Sequence, residues 1–334
     1  MSPDAPAPAT FPGPMGSGLV TVFGGSGFIG RYVVGALAQR GFRVRVGVRQ
    51  PHLAHHLQPL GTVGQIMPVQ ANVRHPDSLA SACSGADAVI NLVGILANTG
   101  AQKFDAVHAE GAAAAARAAR DAGARRFIQI SAIGADPHSN SEYARSKAEG
   151  EVLAGEAFAG AIVVRPSIVF GPEDSFFNRF AAMARISPAL PLIGGGHTRF
   201  QPVYAGDVAD GIAQLLTLEA AAGRTYEFGG PEIYTFRELM EFTLSTIQRR
   251  RLLIPVPWAV ARLQGAVLQH LPGSLLTMDQ VELLKTDNVV SKAAATAGLT
   301  LQGLGIAPQA IAAIVPAYLG RFRRAGQFTK PAER

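Results

Sequence analysis

Residues 20–34 read VTVFGGSGFIGRYVV, an apolar run that leads into Gly24-x-x-Gly27-x-x-Gly30 and then into an amphipathic segment. This order predicts a strand, a tight turn and a helix. Gly24 allows the turn, Gly27 lets a phosphate approach the backbone, and Gly30 lets helix and strand pack closely. The first helical turn, with Phe28 and Ile29, offers unpaired N–H groups and the positive end of the helix dipole to an anion. The stretch therefore predicts a dinucleotide pyrophosphate site; a glycine-rich turn in a nucleotide-free α/β protein is the alternative.

Short apolar runs alternate with helical patterns through the first half of the chain. Strands are predicted near 19–23, 43–48, 65–69, 88–92 and 127–131, with an alanine-rich helix at 101–122. Such alternation is typical of a parallel sheet with right-handed crossovers. We therefore predict an α/β protein: a Rossmann-type doubly wound parallel sheet with a smaller C-terminal α/β lobe.

The predicted organisation has three parts. Residues 1–18 are rich in Pro, Ala and Gly without a basic start, and are expected to form a disordered lead rather than a secretory signal. Residues 19–165 form the nucleotide-binding domain, and 166–334 form a substrate or partner lobe interwoven with the sheet. In that lobe, Thr235 with Glu238 predicts a capped helix over 235–248. The segment 258–271 places Val260, Leu263, Val267 and Leu271 on one face, which we expect to be core rather than a docking surface.

Composition excludes several functional classes. The 334 residues are 48% hydrophobic and 16% charged, which is ample for a large core, and no apolar run is long enough to span a membrane. Cys83 is the single cysteine, so neither an internal disulfide nor a Cys-based zinc site is expected, and an intracellular location is indicated. His52, His55 and His56 cluster in a predicted loop without a useful carboxylate, so no metal site is predicted.

The charge balance is basic. The net charge is +6 and the pI is near 9.8, but the basic residues are scattered without interleaved aromatics. Nucleic acid is therefore not an expected partner. An acidic partner or an anionic lipid surface fits the charge better.

Two arginines bear on the choice of nucleotide. The second strand ends at Arg49, where NAD-selective folds usually carry an acidic residue for the ribose 2′-OH. A guanidinium suits a 2′-phosphate instead, and Arg31 could add a second charge. NADP(H) is therefore preferred over NAD(H), with two solvated surface arginines as the alternative.

Tyr143 and Lys147 form a Tyr-x-x-x-Lys pair on one face of a helix that begins near Ser141. A lysine ammonium beside a phenol favours the phenolate, so we expect a lowered pKa for Tyr143. The same ammonium can hydrogen-bond the nicotinamide ribose.

The chain resembles the short-chain dehydrogenase/reductase superfamily, in its extended or atypical branch. The glycine motif, the Tyr143–Lys147 pair and segments at 91–94, 165–167 and 170–172 carry the resemblance. It implies that Tyr143, Lys147 and Ser131 are candidate catalytic residues. It also implies a cofactor-binding set: Gly24, Gly27, Phe28, Ile29, Gly30, Arg31, Arg49, Asn72, Val73, Leu92, Val93, Gly94, Ser131, Tyr143, Lys147 and Pro166.

One position departs from that superfamily. Catalytic relatives usually close the fifth strand with a serine pair, whereas this chain has Ser131 followed by Ala132. Losing one preorganised donor to an oxyanion typically costs about 10²–10³ in kcat, so efficient hydride transfer is doubtful. If the register is off by one, Ser131 is itself the catalytic hydroxyl.

A closer resemblance, from Leu19 onward, is to the nucleotide-binding accessory subunit of respiratory complex I. The segments that carry it lie at 23–34, 141–150, 165–174, 201–208 and 276–287. It implies a tightly held NADPH with a structural role, partners in the peripheral arm near the membrane arm, and a peripheral position on the inner, cytoplasmic face of the respiratory membrane. Two alternatives stay open. One is an autonomous NADP-dependent reductase, epimerase or dehydratase acting on a small hydroxylated or nucleotide-sugar substrate. The other is a redox-sensing regulator.

Overall fold

The structure is a computed structural model, which describes residues 18–269, 276–324 and 326. Residues 1–17 of the predicted lead, and Leu271, lie outside this part. The strands are β1 (Leu19–Phe23), β2 (Arg43–Val48), β3 (Ile66–Gln70), β4 (Ala88–Asn91), β5 (Arg126–Ile130), β6 (Ile162–Pro166), β7 (Val169–Phe170), β8 (Ala189–Ile193), β9 (Arg199–Phe200), β10 (Val203–Tyr204), β11 (Thr225–Phe228), β12 (Tyr234–Thr235) and β13 (Leu252–Val256). The helices are α1 (Phe28–Gln39), α2 (Pro76–Cys83), α3 (Glu110–Asp121), α4 (Glu142–Ala157), α5 (Phe177–Ile186), α6 (Ala205–Thr217), α7 (Phe236–Thr246), α8 (Trp258–Leu268), α9 (Met278–Leu283), α10 (Lys292–Thr296) and α11 (Ile311–Leu319).

A seven-stranded sheet has the order β11-β6-β5-β4-β1-β2-β3. The pairs from β3 through β1 and β4 to β6 are all parallel. The direction of winding reverses between β1 and β4, which is the arrangement of a Rossmann-type sheet. The predicted fold class is confirmed, and each predicted strand of the first half is present with both ends within one residue of the expected bounds.

The chain divides into two compact units. The first contains residues 18–131, 146–165 and 208–226, and the second contains 132–145, 166–207 and 227 onward. One boundary between these units lies after residue 165. Segment 132–145 precedes this boundary but belongs to the second unit, and segment 208–226 follows it but belongs to the first. The chain therefore passes between the units several times.

The first unit is built around its sheet and α3. Seven alanines and one glycine of α3 are buried, so this helix packs closely in a core that includes the fully buried Phe127 of β5 and Leu79 of α2. The helix predicted from Ala101 begins only at Glu110. It is preceded by a π-helical turn at Asp105–Ala109, and the Asn98 side chain accepts from the Phe104 N–H at 2.7 Å. Composition alone predicted the helix but not this interruption.

The second unit has a core of aromatic and aliphatic side chains from α5, α7 and α11. The capping box predicted for α7 is confirmed, because Thr235 and Glu238 exchange both hydrogen bonds. Asn288 joins three segments: its Oδ1 accepts from Ser167 and Ile168, and its Nδ2 donates to the Ile133 carbonyl.

The outer face of α8 corrects one expectation. Val260, Leu263 and Val267 are 45%, 69% and 63% exposed, so the apolar face predicted as core faces outward. The buried residues of this helix are Ala261 and Gly265 instead. A Cβ at Gly265 would lie 3.0 Å from the Met278 nitrogen, so α9 packs on the small-residue side of α8.

Candidate functional site

A cleft of about 260 Å³ opens in the first unit at the carboxyl ends of β1 and β4. This is the point where the strand order reverses, which is where ligands bind in open α/β sheets. The residues that line it are Phe23, Gly24, Ser26, Gly27, Gly47, Val48, Arg49, Ala71, Asn72, Val73, Arg74, Leu92, Val93, Gly94, Ile95, Gln102 and Val107.

The N-terminus of α1 reaches this cleft through Gly27. Gly27 is the N-cap residue, no side chain caps the helix, and no acidic residue lies in its first turn. The first N–H groups of a helix have no partner within the helix, and they carry its positive dipole end. An anion in the cleft would therefore meet these donors without competition from a carboxylate of α1.

The three motif glycines have different steric roles. Gly24 has φ +77, a left-handed conformation that favours glycine. A Cβ at Gly30 would lie 2.3 Å from the Gly24 carbonyl oxygen, so that position is closed to any side chain. A Cβ at Gly27 would meet only that same oxygen, at 3.2 Å. The protein's own packing therefore requires glycine at Gly24 and Gly30, whereas at Gly27 a side chain would mainly occupy ligand space.

Two arginines line the cleft, Arg49 and Arg74. Arg74 is held by a short turn in which its N–H donates to Asn72 Oδ1 at 3.2 Å, and its side chain donates to the Ala101 carbonyl at 3.2 Å. Sequence reasoning missed Arg74, although its position directly after Asn72 and Val73 was the available signal. Arg31 is not among the residues that line the cleft, so the two arginines at the cleft are Arg49 and Arg74.

A buried polar cluster lies beside Gly94. A Cβ at Gly94 would be 3.3 Å from Lys147 Nζ and 3.5 Å from His108 Nε2. The Ile95 N–H donates to His108 Nε2 at 2.9 Å, so the neutral ring carries its proton on Nδ1, which lies 3.0 Å from Ser146 Oγ. His108 was also missed, because a lone histidine near an alanine-rich helix gives no signal of its own.

Burial shifts both basic groups of this cluster towards neutrality. Burial and the positive charge of Lys147 lower the pKa of His108 to about 2. Burial lowers the pKa of Lys147 to about 8, against the opposing effect of the Glu151 carboxylate. Glu151 in turn forms a two-point ion pair with Arg165, at 2.8 and 2.6 Å, which ties α4 to β6. At neutral pH the His108 ring is therefore neutral, whereas Lys147, with a pKa of about 8, is still mostly protonated.

Ser131 follows β5 directly, and its N–H donates to the Val164 carbonyl at 2.7 Å. Its Oγ is buried and has no hydrogen-bond partner among the described residues. Leaving a buried hydroxyl unsatisfied costs about 1–3 kcal/mol, which a polar ligand group can offset. An unpaired hydroxyl, an uncapped helix N-terminus and two guanidinium groups in one unit fit the chemistry of a phosphorylated dinucleotide.

Tyr143 belongs to the second unit, at the start of α4. There the Asp279 carboxylate accepts from Ser141 Oγ at 2.9 Å, from the Glu142 N–H at 2.6 Å and from the Tyr143 N–H at 3.4 Å. Burial and the negative charge of Asp279 raise the pKa of Tyr143 to about 12. The predicted lowering of this pKa is therefore wrong, because the sequence gives no sign that Asp279 lies against this helix.

The predicted cofactor residues fall into three groups. Eight line the cleft: Gly24, Gly27, Arg49, Asn72, Val73, Leu92, Val93 and Gly94. Phe28, Ile29, Gly30 and Arg31 lie in the first turn of α1, and Ser131 and Lys147 belong to the same unit outside the lining. Tyr143 and Pro166 belong to the second unit, where the Pro166 carbonyl accepts from the Ile133 N–H at 3.0 Å.

Other candidate chemistry is limited in the part of the chain that the structure describes. No group of three or more His, Cys, Asp or Glu side chains there is arranged to hold a metal ion. Burial raises the pKa of the Cys83 thiol to about 12, so this thiol is unreactive. None of the described helices combines the length and apolar character that a membrane span needs.

Comparison with known proteins agrees with this geometry. Residues 20–229 match the NAD dependent epimerase/dehydratase family. The chain is 35% identical to NADH dehydrogenase [ubiquinone] 1 alpha subcomplex subunit 9, mitochondrial, of Arabidopsis thaliana, over 93% of this chain and 79% of that protein. It is 32% identical to a ceramide reductase of Caulobacter vibrioides, over 84% of this chain and 89% of that protein.

Among solved structures, the NADPH-dependent quinone oxidoreductase of Escherichia coli, complexed with NADPH, matches 90% of this chain and 99% of its own. The TM-score is 0.70 at 18% identity, a level that supports the fold alone. The family match over residues 20–229 and the 35% identity to the Arabidopsis protein establish the family as well as the fold. The chain therefore belongs to the NAD dependent epimerase/dehydratase family and, within it, to the family of subunit 9 of the NADH dehydrogenase alpha subcomplex.

Proposed function

We propose that this protein is an accessory subunit of respiratory complex I that holds NADP(H) as a structural ligand. The observation that carries the proposal is the cleft at β1 and β4, with its uncapped helix and two guanidinium groups, in a chain 35% identical to a complex I subunit. Its partners are peripheral-arm subunits near the junction with the membrane arm. It lies peripherally on the inner, cytoplasmic face of the respiratory membrane, where anionic lipid is a further partner.

Each part of the nucleotide has matching residues in the first unit. The pyrophosphate lies over Gly27 and the N–H groups of Phe28, Ile29 and Gly30, since an uncapped helix N-terminus favours an anion. The 2′-phosphate pairs with Arg49 and Arg74, because guanidinium groups bind phosphate through two N–H donors.

The remaining contacts extend along the cleft and beyond it. Asn72 and Val73 border the adenine, and Leu92, Val93 and Gly94 follow the backbone of the nucleotide. Lys147 and Ser131 donate to the nicotinamide ribose. This last contact gives the buried Ser131 hydroxyl the partner that it lacks among the described residues.

Two features support a structural rather than a catalytic role for the nucleotide: the raised pKa of Tyr143 and the alanine at position 132. When bound, NADPH could supply a hydride, but proton transfer from a phenol with a pKa of about 12 is weakly matched to neutral pH. Ala132 also stands where catalytic relatives place a second hydroxyl. A ligand that binds only the folded state still stabilises it, by about 2.7 kcal/mol at a hundred times its Kd.

The test is whether the chain migrates with complex I. Membranes are solubilised gently and resolved on a native gel, and the chain is expected in the band with NADH:quinone oxidoreductase activity. Its presence only as a free species would refute the assembly role. In parallel, nucleotide released from the purified protein by denaturation is identified by its mass, and NADP(H) is the expected species.

The preference for the 2′-phosphate has its own test. Arg49→Glu is expected to weaken NADPH binding by tenfold or more relative to NADH, since it replaces attraction with repulsion at the phosphate. Arg43→Glu is the matched control, because Arg43 is an exposed arginine at the start of β2, the strand that Arg49 follows, and it does not line the cleft. Equal losses for NADPH and NADH would refute the assignment.

An autonomous reductase is the second candidate. It is supported by Tyr143 and Lys147, which lie one turn apart on α4, and by the similarity to a ceramide reductase. This reading predicts NADPH-dependent turnover of long-chain carbonyl compounds by the wild type, and its loss in Tyr143→Phe. Absence of turnover in the wild type would leave the structural role as the better account.

A further inference from the structure

Six arginines of the second unit lie on three neighbouring segments of chain. None of them forms an ion pair with a carboxylate among the described residues; the ion pairs found in this unit involve other side chains. They are Arg185, Arg249, Arg250, Arg251, Arg323 and Arg324.

Backbone carbonyls hold three of these side chains in place. The Nε of Arg249 donates to the Phe322 carbonyl at 2.9 Å, and that of Arg323 donates to the Thr246 carbonyl at 3.0 Å. The Nε of Arg251 donates to the Ala184 carbonyl at 2.8 Å. These contacts join the ends of α5 and α7 to the turn after α11, so residues that are far apart in sequence form one basic region.

The arginines are close enough to affect one another. The pKa of Arg249 is lowered, first by burial and then by neighbouring positive charges, those of Arg251, Arg185 and Arg324. Repulsion among like charges opposes the folded state, and an anionic partner relieves it. The turn that leads into the arginine run is also unusual, because Gln248 is the one non-glycine residue in the described part of the chain with a positive φ, +53.

Large apolar side chains stand among these charges. Ile186, next to Arg185, is 88% exposed, and Leu252, next to Arg251, is 70% exposed. The chain continues from Leu252 through β13, where Ile254 is 49% exposed, to the outward apolar face of α8. Exposed apolar residues interleaved with arginines are typical of segments that lie in a membrane interface.

We propose that Arg185, Ile186, Arg249, Arg250, Arg251, Leu252, Arg323 and Arg324, here called the basic-apolar surface, bind an anionic lipid bilayer. The guanidinium groups contact lipid phosphates, and Ile186 and Leu252 enter the interface. The proposal rests on the peripheral membrane position given under the proposed function and names the surface responsible. Guanidinium groups pair with carboxylates as well as with phosphates, so the apolar residues decide the partner. Lipid fits better than an acidic protein because Ile186, Leu252 and Ile254 continue the exposed apolar surface into the outward face of α8.

The test measures co-sedimentation of the full chain with phosphatidylcholine vesicles, with and without cardiolipin. The triple variant Arg185→Gln, Arg250→Gln, Arg324→Gln removes three exposed side chains that make no described hydrogen bond. Each arginine near an anionic surface contributes about a fivefold factor, so binding to cardiolipin vesicles is expected to weaken roughly a hundredfold. The matched control is Arg43→Gln, Arg117→Gln, Lys292→Gln, which removes the same charge from exposed positions elsewhere.

The apolar contribution is measured separately. Ile186→Ser with Leu252→Ser is expected to reduce the binding that survives about 0.5 M salt, where the Debye length is only a few ångströms. The proposal is overturned if the wild type does not prefer cardiolipin vesicles, or if the control triple variant weakens binding as much as the first one.

Two outcomes separate this proposal from others. Suppose that the wild type does not bind vesicles, and that the Arg185, Arg250 and Arg324 variant, but not the control variant, fails to migrate with complex I on a native gel. The partner of the basic-apolar surface is then an acidic protein, and the lipid proposal is wrong. The vesicle assay uses the isolated chain, so failure to migrate with complex I leaves its result intact. The two experiments therefore distinguish failure of the lipid proposal from failure of the complex I proposal.

Discussion

Substitution of Gly27 by alanine should separate nucleotide binding from folding. Gly27 has φ −73 and ψ −179, which alanine adopts without strain, and the added Cβ would meet only the Gly24 carbonyl oxygen, at 3.2 Å. Alanine also restricts the unfolded chain, by about 0.4–1 kcal/mol in favour of folding. The free energy of unfolding without ligand should therefore stay within about 1 kcal/mol of wild type, because this gain offsets the tight contact.

Binding is expected to respond much more strongly, because the new methyl group occupies the space through which a phosphate approaches the backbone. At NADPH equal to a hundred times the wild-type Kd, the wild type gains about 2.7 kcal/mol. A variant with a hundredfold higher Kd gains only about 0.4 kcal/mol under the same conditions. At about 2 °C per kcal/mol, the expected rise in Tm is near 5 °C for wild type and below about 1 °C for Gly27→Ala.

The assay is thermal unfolding of the full chain with and without NADPH, followed by circular dichroism. Gly155→Ala is the matched control: Gly155 lies within α4, a Cβ there would meet nothing within 4 Å, and the variant should keep the full NADPH shift. Gly30→Ala should fail to fold, since its Cβ would lie 2.3 Å from the Gly24 oxygen. A wild-type NADPH shift in Gly27→Ala would refute the placement of the pyrophosphate.

Three further predictions follow from single side chains. Arg74→Gln should weaken NADPH binding about 10- to 100-fold more than NADH binding, since it removes a charge-assisted hydrogen bond to the 2′-phosphate. Fluorescence titration with both nucleotides measures the two affinities. Equal losses of affinity would exclude a phosphate contact. Asp279→Asn should lower the free energy of unfolding, measured by urea denaturation, by about 0.5–2 kcal/mol. It should also lower the pKa of Tyr143 from about 12, so that tyrosinate absorbance develops at lower pH, with a Tyr143→Phe variant as the reference. An unchanged titration would contradict the role of Asp279. His108 binds a proton at about pH 6.5 when unfolded and only near pH 2 when folded, so its contribution to stability is constant above pH 6.5 and falls by up to about 1.4 kcal/mol per pH unit below it. His108→Gln should flatten this part of the urea midpoint against pH, and an identical slope in the variant would rule out His108 as its source.

Local patterns in the chain were enough to predict much of the fold. The run from Val20 into Gly24, Gly27 and Gly30 predicted the first crossover, because strand periodicity and the conformational freedom of glycine act within a few residues. The Thr235 capping box is equally local, since both of its hydrogen bonds join residues three apart. Arg49 was identified for the same reason, because it directly follows the second strand, β2, of a recognisable β-α-β unit.

The predictions that were wrong concern contacts between segments that lie far apart in the sequence. Asp279 meets Ser141 across 138 positions, so no window of sequence could indicate the carboxylate that raises the pKa of Tyr143. The periodicity of α8 established that one face is apolar, but not that Val260 and Leu263 face outward, since that depends on what packs against the helix.

The sequence by itself determined the alternation of strands and helices in the first half of the chain, the glycine turn and the position of the first β-α crossover. Only the tertiary structure decided which side chains lie together and which are buried. It placed Arg74 with Arg49 at the cleft, buried His108 beside Lys147, and left the Ser131 hydroxyl without a hydrogen-bond partner among the described residues. The physical reason is that turns and periodicity depend on backbone geometry over a few residues. Burial, pKa and hydrogen-bond satisfaction depend instead on distant segments that meet only after the chain has folded.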